Sequence, residues 1–158
     1  MTHPNVERVV AAATAAGLQI EVRQFPEGTR TALEAASAIG VGVGQIVKSL
    51  VFGVDDEIVM ALVSGANTLD ESLLAVAAGG QRCVRVDADA VRAATGFPIG
   101  GVPPFGLATQ LRIFVDPDLL KFDEVWAAAG TWHDVFAIDP RVLQSVTDGV
   151  VIELRRTP

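Results

Sequence analysis

Twelve consecutive residues near the middle of the chain, residues 95–106, restrict the fold more than any other segment. They read Thr-Gly-Phe-Pro-Ile-Gly-Gly-Val-Pro-Pro-Phe-Gly and so contain four glycines and three prolines. Glycine weakens regular structure, and proline lacks the N–H group that a helix or a central strand requires. We therefore expect a shaped loop, in which the paired Gly100 and Gly101 let a ligand approach the backbone closely. A rigid structural turn between a helix and a strand is the alternative.

The segments around this loop alternate between helical and extended patterns. Helices are predicted at residues 5–16, 31–39, 69–78, 87–94 and 140–145. Strands are predicted at residues 19–25, 46–54, 58–63, 83–86, 111–115, 135–138 and 150–154, while segment 122–129 is apolar without favouring either type. The polar residues 55–57 form a turn of hairpin length between two of these strands. Hairpins mixed with helical crossovers predict a mixed α/β fold.

Length and composition favour one domain, residues 1–158, because 50% of the residues are hydrophobic and no linker or repeat interrupts the chain. No apolar run approaches the roughly 20 residues that span a bilayer, so we expect no membrane contact. The first residues lack the pattern of an export signal. The single cysteine, Cys83, excludes an intramolecular disulfide and the two-cysteine zinc patterns. These features together predict a cytoplasmic protein.

The net charge of −7 argues against a protein that coats nucleic acid without specificity, because lysine and arginine supply most of that affinity. Any contact with nucleic acid should therefore be local. Only two of the twelve basic residues are lysines, Lys48 and Lys121.

Lys48 is the strongest catalytic candidate. It lies near the start of predicted strand 46–54, where the period of two places it on the same, more apolar face as Ile46, Leu50 and Phe52. A charge on that face is costly unless it has a partner, which favours a functional cleft. The alternative is a lysine that extends from a core strand to solvent.

Other polar residues give weaker signals. Ser64 and Gly65 directly follow a predicted strand and are expected at the same edge of the sheet. His133 stands between Trp132 and Asp134, a setting more typical of a loop or packing residue than of a general base. Cys83, with Val84 and Val86 nearby, is predicted to be a buried thiol rather than a nucleophile. Aspartates that precede proline, such as Asp116, suit turns or caps.

The order of these motifs resembles the YbaK/EbsC family, free-standing relatives of the editing insertion domain of bacterial prolyl-tRNA synthetase. The likeness covers about residues 31–143 and is carried by segments 45–52, 62–65, 95–106, 115–116 and 129–130. It implies a curved mixed β-sheet with surrounding helices and a small pocket. It also implies that Lys48 is required for deacylation and that Gly100–Pro104 is the family's GxxxP loop.

The resemblance further implies an activity and its partners. The expected reaction is hydrolysis of mischarged tRNA, with tRNA(Pro) carrying Ala, Cys, Ser or Thr as the expected substrate. The ribose 2′-hydroxyl would assist, and Lys48 and the loop backbone would position ester and water, without metal or cofactor. Expected partners are the acceptor end of aminoacyl-tRNA and, as a second candidate, prolyl-tRNA synthetase. The predicted substrate-binding residues are Thr31, Ser64, Gly65, Gly100, Gly101, Val102, Pro103, Pro104 and His133.

Two departures from the family pattern leave the removed amino acid open. Pro103 stands where cysteine-specific members usually have serine before the last proline of the loop, and residues 130–133 differ from their arginine-containing version. His133 thereby becomes a candidate specificity residue. Two other readings are an inactive tRNA- or synthetase-binding module of the same fold, and a different small hydrolase centred on Cys83 or His133.

Overall fold

The structure, a computed structural model, describes residues 2–157, which form five α-helices, two 3₁₀ helices and eight β-strands. The α-helices are α1 (Pro4–Ala15), α2 (Ala32–Ile39), α3 (Glu71–Ala77), α4 (Ala88–Thr95) and α5 (Pro140–Thr147). The strands are β1 (Val22–Gln24), β2 (Val47–Val54), β3 (Glu57–Ser64), β4 (Cys83–Arg85), β5 (Arg112–Val115), β6 (Val125–Ala128), β7 (Asp134–Ile138) and β8 (Val150–Val151). The 3₁₀ helices are Val43–Gln45 and Pro117–Lys121.

Local sequence signals explain where the helices beside the loop begin and end. Thr31 caps α2: its Oγ1 accepts from the backbone N–H of Glu34 and donates to the Glu34 carboxylate, both at 3.1 Å. Gly40 ends α2 in the left-handed conformation, with φ 89°. Asp87 caps α4, with its carboxylate accepting from the backbone N–H of Ala90 at 2.8 Å, and Gly96, with φ 82°, ends the helix and starts the loop.

The strands divide between two sheets. Strands β1, β7 and β6 form an antiparallel sheet in the order β1-β7-β6. The second sheet has the order β4-β2-β3-β5-β8, in which β2 pairs antiparallel with β3 and β4, and β3–β5–β8 are parallel. A single parallel bridge between Ile46 and Trp126 joins the sheets. The predicted mixed α/β class is confirmed. The strands form two connected sheets rather than one.

Two predicted strands are shorter in the structure than the side-chain pattern suggests. The first, predicted at 19–25, pairs with β7 only at Val22–Gln24, and Phe25 adds one further hydrogen bond by donating to the His133 carbonyl at 2.7 Å. The last, predicted at 150–154, stops at Val150–Val151, because β5 ends at Val115. The chain then turns toward α3, where the Leu154 carbonyl accepts from Asp70 at 2.7 Å.

Segment 122–129, which the sequence left without a type, contains β6. The two 3₁₀ helices were not predicted, because one turn of helix leaves almost no periodic pattern. The other predicted elements are confirmed with ends that differ by at most two residues.

The five-stranded sheet is covered on both faces. On one face of β2, Val47 belongs to the larger core cluster and the partly buried Val51 packs against it. On the other face, Phe52 and Val54 pack with Leu74 of α3 in a second cluster. Within residues 2–157 no helix is both long and apolar enough to cross a membrane.

A candidate active site around Lys48

A cleft with two lobes opens beside the glycine- and proline-rich loop. The first lobe, of about 360 Å³, lies between the starts of α2 and β2, the loop and strand β6. The second lobe, of about 440 Å³, lies between β2, the loop and the end of the chain. Both lobes share one wall, formed by Lys48, Ser49, Leu50, Ile99, Gly100 and Val102.

Lys48 therefore lies where the two lobes meet. Its ammonium group donates to the backbone carbonyl of Asn67. Burial lowers the pKa of Lys48 below its ordinary value, and the negative charge of Asp116 partly opposes this shift. The direct partner of this half-buried lysine is thus the carbonyl oxygen of Asn67, while the Asp116 carboxylate acts on it from a greater distance.

Asn67 and Asp116 anchor the turn that provides this carbonyl. The Asn67 side chain donates to carboxylate oxygens of Asp116 and Asp118, both at 2.8 Å. Asp116 is fully buried and also accepts from the backbone N–H of Ser64 at 3.1 Å. Its other oxygen accepts from the Asp118 N–H at 2.9 Å and caps the helix Pro117–Lys121, which confirms the predicted cap. Its electrostatic effect on Lys48 was not predicted.

Gly100 and Gly101 occupy positions with no room for a side chain. Gly100 has φ 88°, and a Cβ there would lie 2.8 Å from Cγ of Arg30 and 3.0 Å from Nε1 of Trp132. A Cβ on Gly101 would lie 2.9 Å from the backbone nitrogen of Thr131. The paired glycines are thus needed for packing against the segment after β6, while Gly100 also lines both lobes.

Trp132 fixes the loop through a hydrogen bond and a cation–π contact. Its indole Nε1 donates to the carbonyl of Ile99 at 2.7 Å, and the guanidinium carbon of Arg30 lies 4.2 Å from a Trp132 ring centroid. This stack joins the segment before α2 to the loop. The loop edge of the cleft is therefore fixed by side chains from two other parts of the chain.

The structure brings some of the predicted substrate-binding residues to the cleft. Thr31, Gly100 and Val102 line the first lobe together with Lys48. Pro103 and Pro104 are buried and do not line either lobe, so they support the loop from behind.

The other predicted residues lie away from the two lobes. Ser64 Oγ donates to the Gly44 carbonyl at 2.8 Å, and Gly65 packs so tightly that a Cβ would lie 2.3 Å from the carbonyl oxygen of Val43. His133 is exposed, with Nδ1 3.2 Å from the carbonyl of Phe25, and lines a separate shallow hollow. Ser64 and Gly65 thus shape the turn that leads to Asn67, and His133 lies outside the Lys48 cleft.

Cys83 lies on the edge strand β4 and lines neither lobe. It is half-buried rather than buried. Burial, with a smaller effect of the Glu71 carboxylate, raises the pKa of the thiol to about 11. The thiol is therefore protonated and weakly nucleophilic near neutral pH. Among the described residues, no group of three or more His, Cys, Asp and Glu side chains is arranged to hold a metal ion.

Both the sequence and the fold of this chain are similar to those of known proteins. The sequence profile of one family, described as "Aminoacyl-tRNA editing domain", matches residues 26–146. A solved structure of a candidate trans-editing enzyme for prolyl-tRNA synthetase superposes with a TM-score of 0.94 and 42% identity, covering 99% of this chain and 100% of that one.

Two relatives show the same likeness at the sequence level. Proline–tRNA ligase of Maridesulfovibrio salexigens is 38% identical over 107 residues, which are 68% of this chain but only 18% of the ligase. EbsC of Enterococcus faecalis, a candidate Cys-tRNA(Pro)/Cys-tRNA(Cys) deacylase, is 26% identical over 131 residues, 82% of this chain and 80% of EbsC. The chain thus matches a small part of the ligase and most of the smaller protein.

Proposed function

Since the chain belongs to the aminoacyl-tRNA editing domain family, we propose that it is an aminoacyl-tRNA deacylase that removes a small, wrongly attached amino acid from tRNA(Pro). The observation that carries this proposal is the position of Lys48 on the wall shared by two lobes of one cleft. An aminoacyl ester at the end of a tRNA also has two parts, the amino acid and the terminal nucleotide, joined at the reacting carbonyl.

The two lobes differ in chemistry in a way that suits these two parts. The first lobe is enclosed by small and apolar side chains such as Ala32, Ala35 and Val135, and is assigned to the amino acid. The second lobe includes Arg85 and Arg156, whose guanidinium groups suit phosphate, and is assigned to the terminal nucleotide. The ester then lies beside Lys48 and Gly100.

Lys48 acts in this proposal by stabilising charge. Water adds to the ester carbonyl carbon, and negative charge develops on the carbonyl oxygen, which the nearby ammonium group stabilises. The bond between the carbonyl carbon and the ribose oxygen then breaks, and the ribose oxygen takes up the proton that the water gives up. The neighbouring ribose 2′-hydroxyl assists this transfer. An ester is already activated, so positioning and charge stabilisation suffice without a protein nucleophile.

Likeness to the synthetase domain and to the trans-editing enzyme supports tRNA(Pro) as the substrate and prolyl-tRNA synthetase as a partner. Likeness to EbsC, a candidate deacylase of Cys-tRNA, supports a small amino acid, with Ala, Cys, Ser and Thr as candidates.

The test is a deacylation assay with tRNA(Pro) carrying each of these four amino acids, and with Pro-tRNA(Pro) as the cognate control. We expect the wild type to hydrolyse at least one mischarged tRNA and to spare the cognate one. Lys48→Ala should reduce kcat by about 100-fold or more, the usual effect of removing a group that stabilises an oxyanion.

Cys83→Ala is the matched control, because Cys83 lies outside the cleft, and it should retain wild-type rates. Loss of activity in Cys83→Ala but not in Lys48→Ala would instead favour a hydrolase of another class. A wild type that binds acceptor-stem RNA but hydrolyses none of the four esters would favour a binding module.

A further inference from the structure

Strand β2 has an unpaired stretch along one of its two sides. On one side it pairs with β3 along its whole length. On the other side, β6 joins the chain only through the bridge between Ile46 and Trp126, just before β2 begins, and β4 pairs only with residues 52–54. Among the described residues, no strand pairs with this second side of residues 47–51. Residues 48–50 lie on the wall that both lobes share, so this open side of β2 borders the cleft.

Hydrogen bonds at the two ends of β2 show which main-chain groups point to the open side. The Ile46 carbonyl accepts from the Gly65 N–H at 2.7 Å, on the β3 side. The Asp55 N–H donates to the Arg82 carbonyl at 2.9 Å, on the β4 side. The register with β3 contains no bulge, and successive residues of a strand direct their main-chain groups to alternate sides. Ser49, an even number of residues from Asp55, therefore directs both its N–H and its C=O to the open side.

The Val47 carbonyl points to the same side and lies next to the Ser49 N–H along the strand. Within residues 2–157, neither group bonds to another strand or to the main chain of a loop. Ser49 is only half-buried although its hydroxyl is fully buried, so its accessible surface belongs to other atoms. An unpaired acceptor followed by an unpaired donor is what a strand offers to each residue of a parallel partner.

The amino acid of an aminoacyl ester carries the same pair of groups as a residue of a strand. Its α-ammonium group donates hydrogen bonds, and its ester carbonyl oxygen accepts them. When the ester lies parallel to β2, the ammonium group meets the Val47 carbonyl and the ester carbonyl meets the Ser49 N–H. Val47 lines the first lobe, and the ester oxygen is then directed toward Val51, which lines the second lobe. This direction agrees with the assignment of the amino acid to the first lobe and the nucleotide to the second.

We propose that the open side of β2 binds the amino-acid part of the substrate through the main chain: the Val47 carbonyl accepts from the α-ammonium group, and the Ser49 N–H donates to the ester carbonyl oxygen. This proposal rests on the proposed deacylase function and assigns the part of the site that all amino acids share. Together with Lys48, the Ser49 N–H stabilises the negative charge that develops on this oxygen when water adds.

The first test changes the substrate and leaves the protein as it is. It measures kcat/KM of the wild type for the best of the four mischarged tRNA(Pro) esters and for its deamino analogue, such as propionyl-tRNA(Pro) for alanyl-tRNA(Pro). Each value is divided by the spontaneous hydrolysis rate of the same ester, because the ammonium group also makes an ester more reactive in water. The normalised value should fall at least about tenfold for the analogue, as expected when a hydrogen bond from a charged group is lost.

The second test removes the main-chain donor. Proline at position 49 lacks the N–H, and strands tolerate proline where the N–H is unpaired. Ser49→Ala is the reference, because it removes the side-chain hydroxyl and keeps the N–H. The kcat of Ser49→Pro should lie about 100-fold below that of Ser49→Ala on both esters, the usual effect of removing one donor to an oxyanion.

Val151→Pro is the matched control, a proline on another open strand edge. Val151 lies on the edge strand β8 and lines neither lobe. The N–H of the next residue, Ile152, donates to the Val115 carbonyl at 3.1 Å, so the Val151 N–H points away from β5. Val151→Pro should retain the wild-type rates on both esters.

Equal normalised values for the two esters would overturn the proposal while leaving the deacylase function in place. A folded Ser49→Pro with the kcat of Ser49→Ala would do the same. If circular dichroism shows that Ser49→Pro does not fold, the comparison of the two esters decides alone. A wild type inactive on all four mischarged tRNAs would refute the deacylase function for these substrates and this assignment with it.

Discussion

A half-buried lysine, Lys48, lies on the wall that the two lobes of the cleft share. Lys48 has a carbonyl partner, from Asn67, rather than a carboxylate in direct contact. The carbonyl dipole of Asn67 and the more distant charge of Asp116 thus stabilise the ammonium group, and the proposed function requires it to remain available to an incoming ester. Burial lowers its pKa, which means that the folded chain holds this proton less tightly than the unfolded chain.

This pKa shift gives a prediction about stability. Between the lowered pKa and the ordinary value of 10.5, the unfolded chain binds more protons than the folded one, so Lys48 favours folding more as the pH rises through that range. Below it, the buried cation opposes folding. Lys48→Met should therefore raise the Tm at pH 7 by about 2 °C relative to the wild type. The gain should shrink as the pH approaches 10.5, as thermal unfolding followed by circular dichroism can show.

The control for that experiment is the other lysine of the chain. Lys121 is exposed on the 3₁₀ helix Pro117–Lys121, where it pairs with Asp118 at 2.8 Å. Exposed ion pairs contribute little, so Lys121→Met should change the Tm at pH 7 by less than about 2 °C. A fall of about 4 °C or more in Lys48→Met would show that the lysine is mainly a structural residue.

Residues near the cleft differ in how far the sequence predicts them. The apolar face of Lys48 follows from the period of its strand, and its need for a partner follows from that face. The sequence could not identify Asn67 as the partner, because the contact depends on how the turn after β3 folds back. The contact is also made by a backbone carbonyl, which every residue type has. The open side of β2 at Ser49 is equally hidden, since pairing between distant strands decides which main-chain groups stay unpaired.

At the scale of elements, the glycine- and proline-rich loop and the turn after β3 define the cleft together. The loop was predicted from its composition, and its glycines prove necessary for close packing against Thr131 and Trp132. The turn gave only a weak signal in Ser64 and Gly65, which line neither lobe. These two residues act on the site by fixing the turn that carries Asn67.

The turn gives the element-scale prediction. A Cβ at Gly65 would lie 2.3 Å from the carbonyl oxygen of Val43, which is backbone and cannot move aside cheaply. Gly65→Ala should destabilise the fold by about 1–3 kcal/mol, as overpacking does, and lower the Tm by roughly 3–10 °C. Deacylation should fall as well, because the turn presents Asn67 to Lys48. Thermal unfolding and the deacylation assay measure the two effects.

Gly42 is the matched control for this change. It has φ −70°, and the nearest atom to an added Cβ is 4.0 Å away. Gly42→Ala should stabilise the chain by about 0.4–1 kcal/mol, because alanine restricts the unfolded state. Equal unfolding temperatures for the two variants would contradict the close packing at Gly65.

For the whole molecule, net charge limits how the proposed tRNA substrate can be held. A chain with a net charge of −7 repels the body of a nucleic acid, so the proposed function requires contacts that concentrate where arginines line the second lobe. The mixed α/β class was predictable from the order of elements. The division into two sheets was not, because strand order follows from pairing between distant segments and not from local pattern.

The second lobe predicts a shallow salt dependence of binding. Two contacts from Arg85 and Arg156 to single-stranded phosphates should give a slope of log K against log salt of about −1.4. The double variant Arg85→Gln, Arg156→Gln should weaken binding of the acceptor end and bring this slope close to zero, as titration at several salt concentrations would measure.

Arg82→Gln is the control, since Arg82 is exposed just before β4 and lines neither lobe. It should leave the slope unchanged. A slope that the double variant does not alter would place the phosphate contacts elsewhere on the surface.

The single bridge between Ile46 and Trp126 has a consequence for the history of such a protein. Lys48 lies on one sheet, and Trp126, Ala128 and Val135 lie on the other, so the lysine and part of the wall of the first lobe belong to separately paired sets of strands. Substitutions on the three-stranded sheet can reshape the first lobe without disturbing the ladder that holds the lysine. Under the proposed function, such substitutions would change which amino acid is removed while Lys48 and its strand pairing are kept.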